Sequence, residues 1–162
     1  GAWKYDVVAP GYKCNMTDIQ AAMGLVELDR YAENLVRRKE IFHAYDSAFS
    51  KIDWASLPAH QTRDKVSSHH LYLLRIKDIS EAQRDAIIQE IFDQGVSVNV
   101  QFQPLPLLTA YKNLGYEIKD FPIAHQKYQT EITLPVYYNL NDTQVAEVIN
   151  VVVCSVEKII NR

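Results

Sequence analysis

The chain has 162 residues, 48% of them hydrophobic and 23% charged, with a formal net charge of −3, which makes one domain-sized unit able to bury about two thirds of its unfolded surface. The acidic balance argues against a nucleic-acid or acidic-membrane surface as the main partner, and no apolar run approaches the length of a membrane span. Cys14 and Cys154 form no CxxC pair and read, with no signal peptide in view, as reduced thiols of a cytosolic protein.

In chain order, Trp3, Tyr5 and Val7 alternate with other residues as a short strand would, ending before Pro10. A start on a strand suggests a piece of something longer. Gly11 after Pro10 is a turn signal, and Thr17 with Gln20 makes a capping box. Ile19, Ala22, Met23 and Val26 then fall at helical spacing, which predicts a half-buried helix. Lys13 and Asn15 stand just ahead of it. A helix N-terminus carries free N–H groups and the positive end of the dipole, so this turn suits an anion. The bland alternative is a solvated lysine beside an ordinary cap. Helical character extends to about Phe49, with a bend at Arg30–Glu33 and Leu35, Ile41, Phe42 and Tyr45 inward. Arg37, Arg38 and Lys39 read as a solvated face, with docking onto a further domain as the rival.

Residues 51–66 read as a loop, and Ser67 to Lys77 as a buried strand. On such a strand His69 and His70 point to opposite faces, so no metal site is predicted. Ser80 with Gln83 is a second capping box, Gly95 sits where a helix-ending glycine belongs, and Ile87, Ile88, Ile91 and Phe92 form the buried stripe between them. Val96 to Phe102 alternates as a strand. Strand, helix, glycine, strand is an α/β unit, a small sheet with helices on one side, and no glycine-rich phosphate loop appears. Gln101 is either a strand-end amide bonded to backbone or a polar contact to a ligand. A short helix runs to Thr130, and Pro135 ends an edge strand that precedes it. Asn141 with Gln144 caps the last helix, whose stripe of Val145, Val148, Ile149, Val152, Val156, Ile159 and Ile160 is core packing.

The run Gly11-Tyr12-Lys13-Cys14-Asn15-Met16-Thr17-Asp18-Ile19-Gln20-Ala21-Ala22 resembles the segment that opens the C-terminal region of the DegT/DnrJ/StrS-type sugar aminotransferases. The similarity continues in register through His70-Leu71-Tyr72, Val98 to Pro106, Asp120 to Ala124 and Glu131 to Tyr137. It implies an α/β (α+β) fold, the small C-terminal domain of the fold-type I pyridoxal-phosphate enzymes, with a mostly antiparallel sheet and helices on one face. It also implies that Tyr12, Lys13 and Asn15 contact the cofactor phosphate across the interface of a homodimer, and that Gln101, His70 and Tyr72 lie toward the substrate, with structural packing as the favoured role for His70 and Tyr72. In such enzymes an amino group passes, usually from glutamate, to a keto sugar linked to a nucleotide, in cytoplasmic synthesis of surface polysaccharide or glycan precursors. Many members carry histidine where Gln101 stands and another at Pro106; glutamine keeps a hydrogen-bonding group and removes a titratable one.

The lysine that carries the cofactor follows a His-x-x-Lys stretch upstream in the family. Here His43, His60, His69, His70 and His125 have no lysine three residues on. Residues 1–162 are therefore expected to be a single domain, the family's C-terminal domain with a long leading helix, holding no catalytic residue and inactive alone. The rival is a self-standing, non-catalytic binding or dimerisation module of the same fold.

Overall fold

A computed structural model of the chain describes residues 9, 11–12 and 14–161. The strand expected before Pro10 and the side chain of Lys13 lie outside them. The chain forms two compact units, Gly1–Ala32 and Glu33–Arg162.

In the first unit the capping box at Thr17 is formed. The Thr17 amide donates to Gln20 Oε1 at 3.1 Å, and Gln20 N–H donates to Thr17 Oγ1 at 3.4 Å. It opens helix α1 (Asp18–Phe49), which is continuous through Arg30–Glu33. The expected half-buried stripe is instead open: Ile19 is 76% exposed, Met23 66% and Val26 57%. Periodicity records that a helix has an apolar face, and nothing in the pattern says what covers it.

The second unit is built on an antiparallel sheet of β1 (Ala55–Ser56), β2 (Tyr72–Ile76) and β3 (Glu131–Leu134), in that order. β1 lies within the stretch read as loop. Pairing sets Tyr72 opposite Leu134 and Leu74 opposite Ile132, so these four share one face with Ile76. That face meets the end of α1 (Ile41, Phe42, Tyr45, Phe49), Ile87 and Ile91 of α2 (Glu81–Asp93) and the valine stripe of α5 (Asp142–Ile160) in one core. The opposite face carries Leu73, Arg75, Glu131 and Thr133. Two short helices, α3 (Thr109–Asn113) and α4 (Pro122–Thr130), lie between α2 and β3 in the chain.

Both remaining capping boxes form, at Ser80 with Gln83 and at Asn141 with Gln144. Gly95, at φ +82°, ends α2 in the left-handed region, where a Cβ would be strained.

Four expectations are corrected. β2 begins only at Tyr72, because His69 turns the backbone at φ +53° and breaks the extended run, so the two histidines do not alternate across a strand. The strand expected over Val96–Phe102 is a single bridge, Asn99 to Thr133. There Val100 N–H bonds the Asn99 side chain at 2.7 Å and Gln101 N–H bonds Glu131 at 2.9 Å, so side chains take amides a ladder would need. Phe92 is 48% exposed, and Arg84 takes the buried place on α2. Arg37 and Arg38 are half-buried: Arg37 donates from Nε to the Leu140 carbonyl at 3.1 Å and pairs with Asp142 at 2.8 Å, and Arg38 lies 3.2 Å from His70 Nδ1.

Candidate functional site

The turn ahead of α1 is open to solvent, with Tyr12 97% exposed and Asn15 exposed. The Gln20 amide is taken by Thr17, while the first-turn amides of Asp18 and Ile19 have no acceptor among the described residues. Exposed backbone donors beside a side-chain amide are the donor set a phosphate needs. The Asp18 carboxylate in the first turn is the one opposing charge there. The described geometry thus fits a phosphate group, and neither Tyr12 nor Asn15 could carry a cofactor covalently as an amine would.

The other sequence-predicted residues do not converge. Tyr72 is fully buried on the core side of the sheet, and its hydroxyl donates to Asp46 at 2.8 Å. Burial first, and the carboxylate second, push its phenol well above the usual tyrosine range. In this arrangement Tyr72 is closed to any ligand. His70 is exposed, two residues away, against Arg38.

Gln101 lies beyond the opposite face of the sheet. It borders a cavity of about 400 Å³ with Leu73, Arg75, Tyr128 and Glu131. Its side-chain carbonyl Oε1 is buried without a hydrogen-bond partner, so a donor brought by a ligand would find an acceptor already desolvated. Glu131 stands next to it, 5% exposed, accepting from the Gln101 amide and the Thr133 hydroxyl. Burial, opposed by those bonds and by Arg84, holds its carboxyl above the usual glutamate range. Arg84 is 1% exposed and reaches the Glu131 carbonyl at 3.5 Å. It donates to the Tyr128 carbonyl at 2.7 Å and lies 4.7 Å from the centre of that ring. The cavity therefore offers an unpaired amide acceptor, a carboxyl that ionises late and the cation of Arg75. That is a set suited to a hydroxyl-rich ligand.

Arg75, Arg84 and Glu131 were not picked out from the sequence. A signal existed for two of them. Arg75 interrupts the otherwise apolar Tyr-Leu-Leu-Arg-Ile and Glu131 opens Glu-Ile-Thr-Leu, and antiparallel register sets them opposite one another. Without the register, each reads as an ordinary strand-edge charge.

Comparison with known proteins places this architecture. A protein assigned as a sugar aminotransferase, Spr1654 of Streptococcus pneumoniae, superposes with a TM-score of 0.89 at 46% identity, over 99% of this chain and 40% of that one. It has been solved in apo, PMP and PLP forms. The spore coat polysaccharide biosynthesis protein SpsC of Bacillus subtilis is 36% identical over 156 residues, 94% of this chain and 40% of SpsC. A UDP-4-amino-4,6-dideoxy-N-acetyl-beta-L-altrosamine transaminase of Campylobacter jejuni is 30% identical over 140 residues, 86% of this chain and 36% of the enzyme. The chain thus spans about two fifths of the length of the relatives it matches. The model of the DegT/DnrJ/EryC1/StrS aminotransferase family matches residues 2–153, and the chain belongs to that family.

Proposed function

We propose that this chain is the C-terminal portion of a pyridoxal-phosphate-dependent aminotransferase that moves an amino group, from glutamate, onto a keto sugar linked to a nucleotide. The observation that carries the reading is the 46% identity and 0.89 TM-score to Spr1654 over 99% of this chain. When bound, the cofactor supplies the electron sink through which an amino group can leave one substrate and join another.

This chain's residues supply binding and orientation. Asn15, Tyr12 and Lys13 hold the cofactor phosphate at the start of α1, across the interface of a homodimer. The bare Gln101 Oε1 accepts a sugar hydroxyl. Arg75 offers a cation to an anionic part of the same ligand, and the buried Glu131 carboxyl, held above the usual glutamate range, stands beside it. His70 is exposed beside Arg38, where it can reach the substrate. The whole protein works in the cytoplasm on precursors of surface polysaccharide, as the SpsC name suggests for that relative. Among the described residues no amine stands beside a cofactor pocket, and the 162-residue chain by itself is expected to be inactive.

The test is a chimera in which this chain replaces the matching two fifths of Spr1654. Loaded with pyridoxal phosphate, it should transfer ¹⁵N from glutamate to a UDP-linked 4-keto hexose, and Asn15→Ala should weaken cofactor affinity by roughly 10- to 150-fold, the worth of one hydrogen bond to a charged acceptor. A chimera that folds, dimerises and retains the cofactor yet aminates no nucleotide-linked sugar overturns the reading.

A further inference from the structure

A second cavity, of about 390 Å³, lies between α1 and the segment from His60 to His69. Lys39, His43 and Asp46 border it from α1, at the spacing that puts them on one helical face. His60, Ser67 and His69 border it from the segment opposite. Phe42 forms its floor, with the His60 ring 4.7 Å and the His69 ring 4.8 Å from its own, both edge-on.

The basic groups here outnumber what the protein neutralises. Asp46 is the single carboxylate, and it is committed twice, to the Tyr72 hydroxyl at 2.8 Å and to His60 Nε2 at 3.0 Å. Lys39 and His43 make no ion pair among the described residues. His69 is only 8% exposed, and its Nδ1 is buried without a partner. The backbone of His69 is held at φ +53°, in a region a non-glycine residue enters only when its surroundings hold it there. Its N–H is anchored to Ser67 Oγ at 3.0 Å. Burial first, then His60, Lys39 and His43, disfavour the charged form of the His69 ring, and Asp46 alone opposes them. The basic groups that face that ring, from both elements, are Lys39, His43 and His60, against the one carboxylate of Asp46. A metal ion does not answer that surplus, since no three ligating groups come together to hold one among the described residues.

We propose that this cavity binds a small phosphorylated metabolite, its phosphoryl group held by Lys39, His43 and His60 and its organic body lying against Phe42 and Val66. A dianion matches the surplus of basic groups, and charge-assisted hydrogen bonds from lysine and imidazolium are the strong kind. A volume of about 390 Å³ falls in the range of small-molecule sites, which is more room than a free phosphate uses. The site shares no lining residue with the cavity at Gln101, and it stands whether or not the aminotransferase reading does.

Binding is linked to protons. A phosphate ester completes its second ionisation at about pH 6 and an ordinary imidazole loses its proton at about 6.5, so both partners are substantially charged near pH 6.5. The experiment is calorimetric titration of the full chain with glucose 1-phosphate, and separately with inorganic phosphate, at about pH 6.5 and about pH 8. Glucose 1-phosphate should bind at the lower pH and at least about tenfold more weakly at the higher one, the loss of one charge-assisted bond. Lys39→Met should cost a similar factor, His43→Gln should flatten the pH dependence, and Lys112→Met should change nothing. Lys39 and His43 are exposed, so these variants keep the fold. Absence of binding overturns the proposal, as does binding that survives Lys39→Met. Inorganic phosphate binding as tightly as the ester overturns the metabolite as occupant.

Discussion

The first turns of α1 and the whole of α5 are written in the same grammar and meet opposite fates. Each opens with a capping box, Thr17 with Gln20 and Asn141 with Gln144, and each carries an apolar stripe at i, i+3, i+4 and i+7. On α5 the stripe is closed, with Val152 and Val156 at 0% exposure. On α1 before Ala32 it is open, at Ile19, Met23 and Val26. A cap and a stripe specify that a helix forms and which side is apolar. They are silent on the partner, because burial is a property of two surfaces and the stripe is only one of them. The end of α1 makes the same point within a single helix, since Ile41, Phe42, Tyr45 and Phe49 are buried.

The contrast can be pushed hardest at α5. Val152→Asp places a carboxylate, with no cation to meet it, in the centre of the core. A cost of several kcal/mol is expected, enough to abolish the cooperative urea transition of a domain of ordinary stability. A folded Val152→Asp chain would mean that α5 is not packed as described.

A smaller effect is expected at Arg37, in the part of α1 that does find partners. Arg37→Met removes the bonds to the Leu140 carbonyl and the ion pair with Asp142, so the chain leading into the α5 cap loses its tie. About 1.5 kcal/mol is expected from the urea midpoint at constant slope, since a charged donor leaves a carbonyl behind it unpaired. A neutral result would return Arg37 to the solvated face first read for it.

The smallest effect belongs to the open stripe. Met23→Asp, the same kind of substitution as at Val152, should leave the urea midpoint of this chain within about 0.5 kcal/mol of the parent, because the side chain is already in water. In the chimera with the remainder of Spr1654 the same change should be felt, if the stripe is covered there. Equal tolerance in both settings would say that this face has no partner at all.

Much of the helical framework was legible in the residues. The three caps, the glycine at position 95, the extent of α1 to Phe49 and the α5 stripe all follow from short-range chemistry: a side-chain oxygen within reach of an amide, a backbone that needs positive φ, a 3.6-residue period. Strands were read less well. Ser67–Lys77 reads as a buried strand and Val96–Phe102 as an alternating one, yet in the first only Tyr72–Ile76 forms a strand, and the second keeps one bridge at Asn99. A strand exists only where a neighbour offers its own amides and carbonyls, and β3 is four residues long. The candidate sites followed the same division. Gln101 could be named from a resemblance, but its side-chain carbonyl is buried without a partner in the folded chain, where Glu131, 30 residues further along, holds its backbone amide. Tyr72 could be named in the same way, and its position on the core face, bonded to Asp46, closes it.

By itself the sequence determined the family of this chain, its helices with their caps and stripes, and the turn in which Asn15 precedes a helix N-terminus, because all of these rest on residue order over a span of a few turns. Tertiary structure alone decided which stripe is buried, that Arg75 and Glu131 face each other across a register, and that Lys39, His43, His60 and His69 share one cavity. Those are juxtapositions of residues distant in the chain. Their free energies depend on separation and burial in space, quantities that local order does not contain.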